Sequence, residues 1–289
     1  MTKRRAFKRW IAGLSALVML LTIGLALPVG ARAEKNTVRV LLTRLNLTDR
    51  LEIALDGSYT LDGMSFQRGS RLVLSCATGR IMVYYEGMAL DSGKEIVLTR
   101  HQAAEGLENG LRLNGDYALY RGDLHVKTDG KMLTAVLHIP IEEYLLGVVP
   151  YEMSDSFPLE ALKAQAVAAR TFTLRRLPAC GGTPCGRCGA DVCTDSACCQ
   201  SYRSAEQLAS KWGADAAYYS ARVEEAVYST AGEVATYEGA LIEALYHSTA
   251  GGMTESSENV FASAQPYLVS VESPGEEGSA HYRDSITFP

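Results

Sequence analysis

The sequence predicts an α+β fold, strand-rich in its N-terminal part and mixed helix and strand in the part that follows. Residues 37–140 hold only short alternating or β-branched apolar runs separated by turn dipeptides, with no segment of helical period. After residue 156 the period changes, and Leu159, Leu162, Ala166 and Ala169 recur at helical spacing. A length of 289 residues with 47% hydrophobic and 8% aromatic content suits one large or two medium folded domains.

Residues 1–33 carry Lys3, Arg4, Arg5, Lys8 and Arg9, then an apolar run from Trp10 to Val29, then Ala31-Arg32-Ala33. This is the pattern of an export signal cleavable after Ala33. The run is also long enough to stay as an N-terminal membrane anchor with its basic end in the cytoplasm. Either outcome places the rest of the chain outside the cytoplasm. The segment holds six of the 28 Lys+Arg and none of the 33 Asp+Glu, which leaves 22 basic against 33 acidic residues, a net charge of −11. With no basic run after residue 33 beyond Arg175-Arg176, no nucleic-acid partner is expected.

Residues 34–140 form the β-rich part. Strands are expected at VRVLL, LEIAL, RLVLS, RIMVYY, EIVLT, YALY, DLHVKT and TAVLHI, with turns at Asp56-Gly57, Asp62-Gly63, Asn114-Gly115 and Asp129-Gly130. In residues 141–289, Ser156 is the expected N-cap and Pro158 suits the first turn of a helix ending near Leu177-Pro178. Lys163 and Arg170, seven apart, share a face of that helix, where solvent is the ordinary environment. A Cys-rich loop at 180–199 follows, then helices at Ala205–Trp212 and Ala217–Thr230. Glu233–Tyr237 and Leu241–Tyr246 read as a hairpin turned by Glu238-Gly239. The second strand runs into His247-Ser248-Thr249-Ala250-Gly251-Gly252, where glycines let backbone approach a ligand. Read alone, that segment is more often a tight turn with a surface histidine.

Glu152 is the candidate general acid. It sits just before the expected helix among Val148, Val149, Met153 and Phe157, whose exclusion of water favours the neutral carboxyl form. The ordinary alternative is an exposed loop glutamate. No Gly-x-Ser-x-Gly elbow, His-Glu-x-x-His zinc motif or phosphate-binding Gly-rich loop is present. Cys180, Cys185, Cys188, Cys193, Cys198 and Cys199 fall in one loop, and both a Cys-ligated structural zinc and a set of disulfides fit. Cys76, alone in an apolar strand, reads as a small buried hydrophobe.

Taken together, YLLGVVPYEMSDSFPLEALKAQAVAARTFTL, the later CQSY, and YHSTAGGMTESSENVF followed by PYLVSVESP resemble the SpoIID/LytB family over residues 37–275. The resemblance implies a peptidoglycan lytic transglycosylase that cleaves peptide-free glycan strands between N-acetylmuramic acid and N-acetylglucosamine, forming 1,6-anhydro ends, in engulfment during sporulation. By the same resemblance Glu152 is the catalytic residue. Lys163, Gln165, Arg170, His247, Ser248, Thr249, Gly251, Gly252, Asn259 and Tyr267 shape the sugar cleft or hold Glu152. A structural zinc falls on Cys193 and Cys199, on Cys198 where a His is expected, and on Cys188 or Cys185, with Cys188 the first choice. Implied partners are glycan strands, a cell-wall amidase and membrane proteins of the engulfment machinery; a non-catalytic role as a glycan-binding enhancer of an amidase is the alternative. The chain departs from the family in carrying Val269 where a basic residue is common, and in ending where the family continues for some tens of residues.

Overall fold

The strand-forming runs assemble into two larger sheets that share one apolar core. The computed structural model describes residues 36–103, 109–186, 189–261, 263–279, 282–283 and 285. The expected signal or anchor lies outside them. Among the described residues, no helix is long and apolar enough to cross a membrane.

The strands are β1 (Thr37–Leu41), β2 (Arg50–Leu55), β3 (Tyr59–Leu61), β4 (Met64–Phe66), β5 (Arg71–Ala77), β6 (Arg80–Tyr85), β7 (Met88–Asp91), β8 (Glu95–Arg100), β9 (Leu111–Leu113), β10 (Asp123–Thr128), β11 (Leu133–Pro140) and β12 (Val192–Cys193). A seven-stranded sheet runs β12-β1-β11-β10-β8-β3-β4 and a five-stranded sheet runs β7-β6-β5-β2-β9. Alternation sets the inward faces: Leu51, Ile53, Leu55, Leu72, Leu74, Ile81 and Val83 from one sheet join Ile96, Leu98, Leu124, Val126, Ala135 and Leu137 from the other in a single cluster. The expected YALY strand is only an isolated bridge between Leu111 and Tyr120. Cys76 is half-buried rather than fully buried, with Sγ 3.0 Å from Thr128 Oγ1.

The helices are α1 (Ile141–Glu152), α2 (Leu159–Leu174), α3 (Ala205–Trp212), α4 (Ala216–Ser229) and α5 (Ser257–Val260). Helix α1 was not expected, yet Ile141, Tyr144, Leu145, Val148 and Val149 form a buried stripe at i, i+3, i+4, i+7 and i+8. Ser156 is not the cap of α2. The chain enters that helix through Pro158 in extended geometry, while Ser154 and Ser156 bond to each other at 2.9 Å. The expected hairpin is much shorter than its sequence pattern, with β13 (Thr236–Tyr237) and β14 (Ala240–Leu241) joined by Glu238 at φ 50° and Gly239 at φ 80°. Both positive angles are those of the tight turn that Gly favours.

Two contacts tie the later half of the chain to the first strand. β12 pairs in parallel with β1, Val192 opposite Val40 and Cys193 opposite Leu41. Beside it, buried Asp191 accepts from the backbone N–H of Arg39 at 2.9 Å and from its guanidinium at 2.6 and 3.0 Å. The Cys-rich loop is therefore anchored on the edge of the seven-stranded sheet rather than trailing from α2.

Candidate active site

Glu152 is the last residue of α1, so its carboxylate stands at the negative end of a helix dipole. Partial burial raises its pKa above the ordinary carboxylate value, opposed by hydrogen bonds from the Ser201 backbone and the Tyr246 hydroxyl. The helix dipole acts in the same direction as burial. The Ser201 N–H donates to Glu152 Oε1 at 3.0 Å. Tyr246 is itself held by Gln200, whose Nε2 donates to the phenol oxygen at 2.9 Å, and Gln200 Oε1 lies 2.9 Å from Thr173 Oγ1 on α2. A cavity of about 280 Å³ opens here, lined by Glu152, Phe172, Ser196, Ala197, Gln200, Leu245 and Tyr246 among others. Of the apolar neighbours read from the sequence, Val148 and Val149 lie in the core and Phe157 is exposed, so shielding comes instead from the 196–201 segment and Tyr246.

Gly147 makes that shielding possible. A Cβ there would meet the Arg203 carbonyl oxygen at 2.4 Å and the Tyr202 ring at 2.5 Å, and the Arg203 N–H donates to the Gly147 carbonyl at 3.0 Å. The segment of residues 201–203 lies directly on α1 because no side chain separates them. Gly147→Ala is expected to push residues 201–203 outward, costing about 1–3 kcal/mol and loosening the Ser201 contact to Glu152. Thermal unfolding together with turnover checks this, and an unchanged melting temperature would contradict it.

The other residues singled out in the sequence fall in three groups. Arg170 is a buried hub: its guanidinium donates to Glu142 on α1 at 2.6 and 3.0 Å, to Val227 O at 3.0 Å and to Glu233 O at 3.2 Å. It joins α1, α2 and α4. Gln165 is buried on α2, and Lys163 pairs with Glu160 one turn away at 2.9 Å. His247 and Ser248 are exposed, and the hydrogen bonds of the following residues run to the 273–279 segment: Thr249 to Ser279 at 2.7 Å, and Ala250 and Gly252 N–H to the Glu276 carboxylate at 2.9–3.0 Å. Asn259 bonds Glu255, and the Tyr267 hydroxyl accepts from Glu243 N. Their link to Glu152 is Tyr246, the residue before His247. Sequence reasoning gave no role to Ser201, Gln200 or Tyr246, although Gln200 and Ser201 lie within CQSY.

Cys185, Cys193, Cys198 and Cys199 gather with their sulfurs all within 4.8 Å of one another. Cys185 is the alternative fourth ligand, and Cys188, the first choice, lies outside the described residues. Tetrahedral thiolate ligation at about 2.3 Å per bond puts sulfurs about 3.8 Å apart, close to the 3.4 Å between Cys185 and Cys198 and 3.9 Å between Cys198 and Cys199. These separations are longer than a disulfide bond. The hydrogen bond from Cys185, burial and the neighbouring Cys193 push the Cys198 thiol up to about 11. A cation at the centre would oppose that shift, and it is the spacing of the four sulfurs that could hold a metal. Because Cys198-Cys199 run straight into Gln200-Ser201, the same cluster positions the partners of Glu152.

Residues 129–237 match the SpoIID family, described as Stage II sporulation protein. Over 154 residues the chain is 42% identical to Stage II sporulation protein D of Bacillus amyloliquefaciens and 40% identical to that of Bacillus subtilis, covering 53% of this chain and 44% of each relative. It is 31% identical over 238 residues to an uncharacterized protein of Brachyspira hyodysenteriae, covering 82% of this chain and 58% of that one. The chain spans about half the length of the curated relatives it matches.

Proposed function

We propose, from the premise that the chain carries a SpoIID-family sporulation domain over residues 129–237, that it is a peptidoglycan lytic transglycosylase acting on peptide-free glycan strands. The observation that carries this reading is a single carboxyl group, Glu152, raised in pKa by partial burial and held by Ser201 and Tyr246 at the edge of a cavity.

One carboxyl is enough for this reaction. Glu152 as the acid protonates the oxygen between muramic C1 and the next sugar, and the C1–O bond breaks. As the carboxylate it then takes the proton of the same muramic unit's C6 hydroxyl, whose oxygen bonds to C1 and closes the 1,6-anhydro ring. Proton and charge return to their starting state without water. A hydrolase usually needs a second carboxylate for its nucleophile or its water. The Ser201 N–H stabilises the carboxylate form, and the Tyr246 hydroxyl, oriented by Gln200, fixes which oxygen faces the sugar.

Zinc fits the four-sulfur cluster, and bound there it would be structural, with no ligand position left for water. About one zinc per chain is expected by elemental analysis. Its removal by a chelator should release residues 198–201 and lower activity, with both regained on zinc addition. Metal-free protein with no titratable thiols would establish disulfides instead. The working compartment on this reading is extracytoplasmic, by anchor or secretion.

The test is release of soluble fragments from peptide-free glycan. Wild type releases them and Glu152→Ala binds the strands without release. Binding with no release by wild type would favour the enhancer of an amidase.

A further inference from the structure

Tyr151, one residue before Glu152, is 43% exposed and flanked by two guanidinium groups. The Arg44 guanidinium carbon lies 5.6 Å from its ring centroid and that of Arg203 lies 5.2 Å from it. Arg44 comes from the turn after β1 and Arg203 from the segment packed on Gly147, so two distant parts of the chain bring positive charge to one ring. Arg44 Nη2 also donates to Ser201 Oγ at 3.1 Å, and the N–H of that same Ser201 donates to Glu152. The cationic pair is thus one residue away from the reacting carboxyl.

Neither arginine has a carboxylate within ion-pair distance among the described residues. Arg39, Arg100, Arg121 and Arg170 each do. In a chain with excess acid, two guanidinium groups gathered at one ring and left without a carboxylate provide a place for an anion from outside. The field is felt by Tyr151, whose phenol is pulled below its ordinary pKa by hydrogen bonds with Arg44 and Ser201.

The glycan itself offers such an anion. Each muramic unit carries a lactyl ether on C3, two ring bonds from the C1 that reacts. While a stem peptide is attached, the lactyl carbonyl is a neutral amide; once the peptide is removed by amide cleavage it is a carboxylate. Resting on the lyase reading above, we infer that Arg44 and Arg203, arranged around Tyr151, bind the free lactyl carboxylate of the muramic unit seated at Glu152 and so select peptide-free strands. A guanidinium takes a carboxylate through two parallel N–H bonds, a geometry that an amide, with one oxygen and its own N–H, cannot match.

Calorimetric binding to the full chain bearing Glu152→Gln tests this without turnover. The probes are peptide-free strands with free lactyl carboxylates and the same strands with those groups converted to methylamides. Binding about tenfold tighter to the free-acid strands is expected, with the ratio collapsing toward one when Arg44→Gln and Arg203→Gln are added. Equal affinity for both strands overturns the inference. So does weaker binding to both with the ratio kept, which would assign the arginines a structural role. The lyase reading stands or falls separately: a free-acid preference with no anhydro product from wild type defeats that reading alone, and anhydro product from both strands at equal rates defeats this inference alone.

Discussion

Glu152→Gln is expected to lower turnover on peptide-free glycan by about two to four orders of magnitude, the range lost when a positioned general acid is removed. The amide keeps an oxygen able to accept the Ser201 N–H, so the cavity should survive and strand binding should persist. The same change should also raise stability, by an amount that depends on pH in a fixed direction. The folded pKa of Glu152 is raised by burial, so the folded state binds a proton that the unfolded chain has already released. That contribution is complete below the unfolded carboxylate value of about 4.3 and is lost as pH rises through the folded value. The variant lacks it, so its melting temperature should gain on wild type across that window and then level off. A gap constant from acid to neutral pH would show that Glu152 is not desolvated. Loss of activity with gain of stability is the signature of a group kept for chemistry.

The second large effect lies in the scaffold. The Arg170 side chain is 1% exposed and that of Glu142 is 21% exposed, and this asymmetry decides which partner matters more. Glu142→Gln leaves a buried guanidinium without its counter-charge, expected to cost about 3–5 kcal/mol. Arg170→Met removes the buried charge and leaves Glu142 within reach of water, while Val227 O and Glu233 O lose a donor, for about 1–3 kcal/mol. The ordering is the prediction: Glu142→Gln should unfold first in urea, and Arg170→Met should rescue part of the loss when the two are combined. If Arg170→Met costs more than Glu142→Gln, Arg170 does something beyond neutralising a buried pair.

The longer strands were legible because their alternation outlasts chance: β2, β5, β6 and β10 each bury every second side chain over several residues, and β11 does so with Val136 buried as well. β3, β4 and β9, three residues each, are too short to show a period, and they form only because β8 and β2 offer an edge. Helix α1 was hidden by Gly147 and Pro150, two residues that argue against helix taken one at a time. Each has a tertiary reason here: Gly147 admits residues 201–203, and Pro150 lies near the end of the helix, where its carbonyl accepts from Lys211. Glu152 stood out by apolar sequence neighbours that in the fold do not shield it, and the groups that do could not be read from the sequence. Ser201 is 49 positions away and Tyr246 another 45 beyond, and no local pattern encodes a hydrogen bond across that distance. Arg170 was legible as a helix-face residue but not as a buried one, because burial depends on α4 closing over it.

The central claim is that the substrate's own hydroxyl, not water, completes the reaction begun by Glu152. Digestion of peptide-free glycan in water enriched in heavy oxygen, followed by mass analysis of the new muramic ends, tests it directly. The account predicts ends lighter than a reducing sugar by one water and carrying no heavy oxygen. Reducing ends that carry the label would contradict it.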